Sequence, residues 1–252
     1  MSLRFTASAR SEVGLVRQKN EDSAVINGVF VAVADGMGGH VGGETASKIA
    51  INSVTQLLPL LNNDEIDPES LDDFLLNSIL EIDADIKEAV QENPELNGMG
   101  TTFVGLALYR NRISILHIGD SRCYRLRGKE FILLTRDHTV IQDLLEQGAI
   151  KENEIATHPQ RAMLTQALVG DAKIVPVLIE HEAKSGDKYL LCSDGLSNFV
   201  PLNEIRDAIN SEDSVNQLVE LAYKYGAPDN VTVVVAEVGS GDTETKFFGA
   251  AR

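Results

Sequence analysis

Cysteine is scarce in this chain. Only Cys123 and Cys192 occur among 252 residues, too few for a disulfide framework, so a reducing compartment is expected. A cysteine-based phosphate loop needs an arginine six residues after its cysteine, but Lys129 and Asn198 stand at those positions. This spacing argues against cysteine chemistry, and both cysteines are predicted to be small core residues.

Basic residues are also few, and long apolar runs are lacking. The sequence has 22 Lys and Arg residues against 38 Asp and Glu, a net charge of −16. Nucleic acids and anionic membranes attract clustered Lys and Arg, so neither is an expected partner. No apolar run reaches the length that spans a bilayer, and residues 1–10 contain no apolar signal core. We therefore expect a cytoplasmic protein, and a monomer.

Four aspartates mark the ends of strand-like apolar runs. Asp35, Asp120 and Asp194 each stand at or just past the end of such a run, and Asp229 precedes one. Taken singly, each Asp-Gly or Asp-Asn pair is typical of an ordinary turn. Brought together by a fold, the four carboxylates would form a pocket of hard oxygen ligands, which suits Mg²⁺ or Mn²⁺ better than zinc.

The periodicity of the chain predicts an α+β domain. Two amphipathic helices, over about 44–61 and from 68 onward, interrupt a series of strands. The predicted strands are 5–9, 23–26, 29–34, 102–109, 112–118, 122–127, 130–134, 174–179, 188–192 and 231–237. No linker divides the chain, so residues 1–238 are expected to form a single domain, and 239–252 a disordered tail.

The glycine-rich segment "DGMGGHVGG" does not predict a nucleotide site. A dinucleotide fingerprint would need glycines at 36, 38 and 41, but residue 41 is Val, and no phosphate-binding Gly-Lys-Ser/Thr loop occurs. We expect no organic cofactor. Small residues here would instead let the backbone carbonyl of Gly36 approach a metal ion.

An ordered set of short motifs resembles the protein phosphatase 2C family, the metal-dependent protein Ser/Thr phosphatases, in its compact bacterial form. The matching segments are 17–22, 34–39, 100–102, 119–121, 193–195 and 229–230. The resemblance implies a four-layer α-β-β-α sandwich, with two mostly antiparallel sheets flanked by helices. It also implies a mobile flap beside the active site, which fits residues 149–170.

The same resemblance implies a set of metal ligands. Asp35 would bridge two Mn²⁺ or Mg²⁺ ions, Asp194 and Asp229 would complete the shell of one, and the Gly36 carbonyl would join the other. Asp120, with Asp194, would hold a third, weaker ion. Such a pair of ions lowers the pKa of a shared water, which then attacks phosphorus without a covalent enzyme intermediate.

Other residues in the matching segments have implied roles around these ions. Glu21 and Asp22 would hold metal-bound water from outside the ligand shell. Arg17 is the candidate phosphate clamp, because its guanidinium can meet two phosphate oxygens at once. His40 is a candidate general acid for the leaving alkoxide, and the alternative is a solvent-exposed bystander.

These expectations lead to a protein serine/threonine phosphatase acting in signal transduction. Its partners would be phosphorylated proteins, with a Ser/Thr kinase that shares those targets. Two alternatives stay open: a catalytically inactive phosphatase-like binding or sensor module, and a phosphomonoesterase of small molecules. The second would use the same metal centre and differ in the flap and nearby surface.

Overall fold

The computed structural model of the chain describes residues 3–39, 42–63 and 65–252. The strands in these ranges are β1 (Arg4–Glu12), β2 (Asp22–Ile26), β3 (Phe30–Met37), β4 (Gly100–Thr101), β5 (Phe103–Tyr109), β6 (Arg112–Ile118), β7 (Arg122–Arg127), β8 (Glu130–Leu133), β9 (Val177–Glu182), β10 (Lys188–Cys192), β11 (Val231–Gly239) and β12 (Lys246–Gly249). The α-helices are α1 (Gly42–Val54), α2 (Leu58–Leu61), α3 (Pro68–Glu92), α4 (Val140–Glu146), α5 (Asp194–Ser197), α6 (Leu202–Ile209) and α7 (Ser214–Lys224). Short 3-10 turns cover Thr55–Leu57, Pro94–Leu96 and Glu152–Thr157.

The strands form two antiparallel sheets. One sheet has the order β1-β11-β10-β7-β8, and the other has the order β12-β2-β3-β5-β6-β9, with β4 paired to β3. Neighbours in sequence are mostly neighbours in space, as in β5 and β6, where Phe103 faces Ile118 and Tyr109 faces Arg112. Short connections of this kind join adjacent antiparallel strands without a crossover.

Strict alternation along the central strands creates two buried faces. On β3, Val31 and Val33 pack between the two sheets, whereas Phe30, Ala32 and Ala34 pack against the helices of the outer layer. A strand buried on both sides has no polar alternation, and β3 has none until Asp35. The helix α1–sheet–sheet–helix α7 order confirms the predicted four-layer sandwich.

The helices cover the outer faces of the sheets. Helix α3 begins as the sequence predicts, with the Asp67 side chain accepting a hydrogen bond from the Ser70 backbone N–H at 3.0 Å and Pro68 in the first turn. Cys123 lies between the sheets and Cys192 lies under α7, both fully buried and free, as expected for core residues. None of the described helices is long and apolar enough to cross a membrane.

The expected disordered tail is instead part of a sheet. Strand β12 pairs antiparallel with β2, from Lys246 opposite Ile26 to Gly249 opposite Ser23. The Thr243 hydroxyl donates to the Phe5 carbonyl at 2.8 Å. The sequence did not predict this strand because polar residues precede it. Its two phenylalanines are half-buried, one against each of two hydrophobic cores. The strand also covers the edge of the sheet that β2 would otherwise expose.

Candidate metal centre

Carboxylates from distant parts of the chain meet in one cavity of about 240 Å³. The predicted site residues that line it are Arg17, Glu21, Asp35, Gly36, Asp120, Asp194 and Asp229. Met37, Gly38, Thr102, Arg161, Ala162, Leu164, Asn198 and Asn230 complete the lining. The described lining residues offer several carboxylate oxygens, which are hard ligands, and no cysteine or histidine, and this composition fits Mg²⁺ or Mn²⁺.

Strand pairing explains why these residues converge. Asp194 lies two residues after the end of β10, and Asp229 lies two residues before the start of its antiparallel neighbour β11, so both lie at the same end of one sheet. In the other sheet, the backbone N–H of Thr102 donates to the Asp35 carbonyl at 2.9 Å, which aligns β3 with the start of β5. Asp120 follows β6, whose last residue faces the first residue of β5.

The clustered carboxylates perturb one another. Burial, with the charges of Asp22 and Asp194, raises the pKa of Asp35 well above its usual value. Burial and the charge of Asp229 raise the pKa of Asp194 to about 6. Burial and the charge of Asp194 raise the pKa of Asp120 to about 7. Ionised carboxylates in this setting need a compensating positive charge, which a divalent cation supplies.

Two carboxylates of the cavity are already hydrogen-bonded to protein groups. Arg17 Nη2 lies 2.7 Å from Asp229 Oδ2, and Asn198 Nδ2 donates to Asp194 Oδ2 at 3.0 Å. Among the described residues, no three His, Cys, Asp or Glu side chains form a group that could hold an ion as they stand. The donor chemistry and charge therefore fit divalent cations, and ligation requires some of these side chains to reorient.

Gly36 occupies a position that no larger residue fits. A Cβ atom there would lie 2.1 Å from the Gly43 carbonyl oxygen and 2.5 Å from the Glu21 carbonyl oxygen. The Gly36 backbone N–H donates to that Glu21 carbonyl at 3.2 Å. The glycine thus lets the segment that carries Glu21 and the strand that carries Asp35 approach each other closely.

Glu21 and Asp22, which were predicted to act as a pair, occupy different environments. Glu21 lines the cavity, and its pKa is raised mainly by burial. Asp22 is fully buried behind the cavity, where Ser193 Oγ donates to its Oδ2 at 2.8 Å. Within the described part of the chain, Asp22 Oδ1 has no hydrogen-bond partner, and burial raises the pKa of this carboxyl to about 7.

Arg17 lies at the rim of the cavity. Its side chain is 52% exposed, and its ion pair with Asp229 raises the guanidinium pKa. Arg17 and Asp229 both line the cavity, so a phosphate bound there would lie close to the Arg17 guanidinium. The predicted role of Arg17 as a phosphate clamp stays a prediction. His40, the candidate general acid, lies outside the described residues.

Asn230 and Arg161 are polar residues of the cavity for which the sequence predicted no role. Asn230 holds the segment that carries Arg17 and Glu21: its Oδ1 accepts from the Glu21 backbone N–H at 2.9 Å. Its Nδ2 donates to the Val13 and Lys19 carbonyls, each at 2.8 Å. Arg161 adds a second cation from the flap segment. An isolated Arg or Asn in a loop has no periodicity: Asn230 fell within the matching segment 229–230, whereas no motif contained Arg161.

The flap segment 149–170 is anchored in its second half. Thr101 and Leu168 exchange two backbone hydrogen bonds of 2.9 Å, and Leu168 is fully buried. The Thr165 backbone N–H donates to the His138 carbonyl at 2.8 Å. The His138 ring in turn accepts from the Gly119 N–H at 3.1 Å, next to Asp120. A tether of this kind argues against mobility of the whole predicted flap, because residues 164–170 are joined to the core.

Comparison with known proteins identifies close relatives. Residues 16–235 match the family model described as Protein phosphatase 2C. The chain is 42% identical to Serine/threonine protein phosphatase PstP of Mycobacterium tuberculosis over 256 residues, covering 96% of this chain and 47% of that protein. It is 33% identical to Serine/threonine phosphatase stp of Listeria welshimeri over 244 residues, covering 92% and 95%.

Solved structures give the same result. The catalytic domain of PstP in complex with 2 manganese ions superposes with a TM-score of 0.85 at 40% identity, covering 94% of this chain and 99% of that one. The chain spans about half the length of the first curated relatives that it matches, 47% of PstP.

Proposed function

This chain belongs to the protein phosphatase 2C family, and on that premise we propose that it hydrolyses phosphoserine and phosphothreonine in proteins with Mn²⁺ or Mg²⁺. One observation carries the proposal: Glu21, Asp35, Asp120, Asp194 and Asp229 converge on a single cavity beside an arginine. The similar structure of PstP with 2 manganese ions supports a cofactor of the same kind here.

We assign the ligands as the family resemblance implies. Asp35 would lie between two ions, Asp194 and Asp229 would serve one of them, and the Gly36 carbonyl the other. Asp120 and Asp194 would share a third, weaker site, since fewer protein charges serve it. When bound, the ions supply an activated water and neutralise charge on the phosphate during an in-line displacement.

The remaining chemistry belongs to protein side chains. Arg17 pairs with Asp229 at 2.7 Å and is half-exposed, so it can exchange that carboxylate for a substrate phosphate at small cost. The exchange would free an Asp229 oxygen for ligation while the guanidinium orients the phosphate through two parallel hydrogen bonds. Arg161 is a second candidate for holding the phosphate, because it lines the same cavity from the flap side.

Residues behind the cavity would maintain its shape. Asn230 fixes the segment that bears Glu21 through three hydrogen bonds of 2.8 to 2.9 Å. Asp22 lies beneath Asp35 as its partner across β2 and β3, and Ser193 Oγ joins it to the residue before Asp194. We propose that Asp22 and Glu21 orient water and ligands from outside the ligand shell.

The same proposal covers the extent of the domain, its partners and its location in the cell. Residues 1–238 would act as one phosphatase domain, to which β12 adds an edge strand. The partners would be phosphorylated proteins and a Ser/Thr kinase acting on them, in cytoplasmic signal transduction, with the enzyme as a monomer. The net charge of −16 supports the absence of nucleic-acid and membrane partners.

A direct assay tests the proposal. Phosphoserine, phosphothreonine and phosphotyrosine peptides and p-nitrophenyl phosphate would be incubated with the protein across a Mn²⁺ or Mg²⁺ titration, and with a chelator. We expect metal-dependent turnover of the first two peptides, and its loss in Asp194→Asn but not in the matched control Asp207→Asn on the exposed side of α6. Metal-independent turnover, or full activity of a folded Asp194→Asn variant, would refute the proposal.

A further inference from the structure

A larger groove adjoins the candidate metal centre. This groove, which we call the flap groove, has a volume of about 730 Å³ and is lined by Met37 and by residues between 159 and 174. Its wall contains Met163, Val169 and Ile174. Met163 is 51% exposed and Val169 is 39% exposed, so the groove presents apolar side chains to solvent. Exposed apolar surface in a concave site is typical of a binding site.

The flap groove is continuous with the cavity that holds the carboxylates. Met37, Ala162 and Leu164 line both. Met37 is also the last residue of β3, two residues beyond Asp35. A phosphorylated side chain seated in the cavity would therefore bring the residues next to it in sequence to the groove, because consecutive Cα atoms are only about 3.8 Å apart.

The far side of the groove is held rigidly. Asp83 on α3 is 3% exposed, and its carboxylate accepts backbone N–H bonds from Val169 at 3.0 Å, Gly170 at 2.7 Å and Ala172 at 2.9 Å. Together with the Thr101–Leu168 pairing, this fixes the turn that presents Val169. A preformed apolar surface binds without the entropy cost of ordering a loop.

The charge of the groove favours an apolar occupant. Asp171 and Lys173 are its charged lining residues among those described, and they pair with each other at 3.2 Å. Met163 adds a flexible thioether, which adapts to side chains of different shapes. The lining therefore offers dispersion contacts and little to attract a charged side chain.

We propose that the flap groove binds an apolar side chain, such as Leu, Met or Phe, that flanks the phosphorylated residue of a protein substrate. This inference rests on the proposed phosphatase function and names the substrate class that the same site would prefer. The preferred substrates are phosphopeptides with a large apolar residue within two positions of the phosphoserine or phosphothreonine.

Peptide kinetics test the inference. Phosphothreonine peptides would differ only at one flanking position, carrying Ala, Leu or Glu at −2, −1, +1 or +2, and kcat/KM would be measured for each. We expect Leu to exceed Ala by about five- to ten-fold at one of these positions, the value of partly burying such a side chain. Activity on p-nitrophenyl phosphate, which has no flanking residue, would normalise each preparation.

Matched variants locate the preference. Val169→Glu and Met163→Glu should bring the Leu-to-Ala ratio close to one, whereas Val175→Glu should keep the wild-type ratio. Val175 is 66% exposed and belongs to the same segment, but it does not line the groove. Thermal unfolding of all variants would verify that they fold, which is expected because these side chains are exposed.

Three outcomes would overturn the inference. Wild-type turnover with no apolar preference, or a preference that Val169→Glu and Met163→Glu both retain, would refute the groove while leaving the phosphatase function intact. A wild-type dimer in sedimentation that Val169→Glu converts to a monomer would show that a second copy of the chain occupies the groove. Absence of turnover on every phosphopeptide and on p-nitrophenyl phosphate would instead refute the proposed function itself.

Discussion

Replacing Arg17 with Ala should change metal binding and catalysis in opposite directions. Arg17 Nη2 is 2.7 Å from Asp229 Oδ2, so it competes with any cation for that oxygen, and it is also the candidate clamp for the phosphate. Without the arginine, Asp229 becomes more available to metal while the phosphate loses two hydrogen bonds. A residue with only a structural role would not produce this pattern.

The structure sets the expected magnitudes. The side chains of Arg17 and Asp229 are 52% and 32% exposed, and pairs this exposed contribute about 0.2–1 kcal/mol. Mn²⁺ affinity should therefore rise by at most about five-fold in Arg17→Ala. Each hydrogen bond from a charged donor contributes about 1.5–3 kcal/mol, so the loss of one of the two bonds alone should lower kcat/KM on phosphopeptides by about 10- to 150-fold, and the loss of both should lower it further.

Two measurements on one preparation test this prediction. Calorimetric titration with Mn²⁺ gives the affinity, and steady-state kinetics at saturating Mn²⁺ give kcat/KM. Arg17→Lys should recover only part of the activity, because an ammonium lacks the planar fork of the guanidinium. Arg206→Ala is the matched control, since Arg206 is an exposed arginine paired with its neighbour Asp207. Weakened Mn²⁺ binding with unchanged kcat/KM in Arg17→Ala would refute the reasoning.

Three further predictions concern the surroundings of the site. Asp120→Ala should retain two bound ions but lose most phosphopeptide turnover; metal counting and kinetics on one sample check this, and full turnover would contradict it. Asp83→Asn should destabilise the fold by about 2 kcal/mol in urea titrations, because one carboxylate now accepts three N–H bonds, and an unchanged midpoint would contradict this. At Asp187, burial raises the pKa, but hydrogen bonds led by that from Arg127 outweigh it, so the pKa is lowered overall. The pair therefore stabilises the fold above about pH 4 and less as pH falls further. Arg127→Met should cost more stability at pH 7 than at pH 3; an equal loss at both would contradict the assignment.

The regular parts of the fold could be predicted from the sequence. Strands such as β5, β6 and β7 carry strong apolar runs bounded by turn residues, and Asp67-Pro68 is a strong start signal for α3. Elements with weak local sequence signals were not predicted. Strand β12 has four residues and owes its conformation to pairing with β2, a long-range contact that no local pattern contains.

At the candidate site too, some residues could be predicted from the sequence and others could not. Motif order pointed to Asp35, Asp120, Asp194 and Asp229, and the structure brings these four to one cavity. The burial of Asp22 behind that cavity could not be predicted, because it depends on the pairing of β2 with β3 and on the contact with Ser193, which is distant in sequence. The anchoring of the flap through Asp83 also depends on a partner more than 80 residues away in sequence.

Calorimetric titration of the wild-type protein and of Asp35→Asn with Mn²⁺, in two buffers of different ionisation enthalpy, tests the central claim most directly. Burial and the neighbouring carboxylates raise the pKa values of Asp35, Asp120 and Asp194, so these groups hold protons that a cation must displace. The account predicts binding of at least two ions, with proton release near pH 6 that appears as a buffer-dependent heat, and loss of both in Asp35→Asn. Wild-type protein that binds no Mn²⁺, or an Asp35→Asn variant that binds it as tightly as wild type, would contradict a metal centre built on these carboxylates.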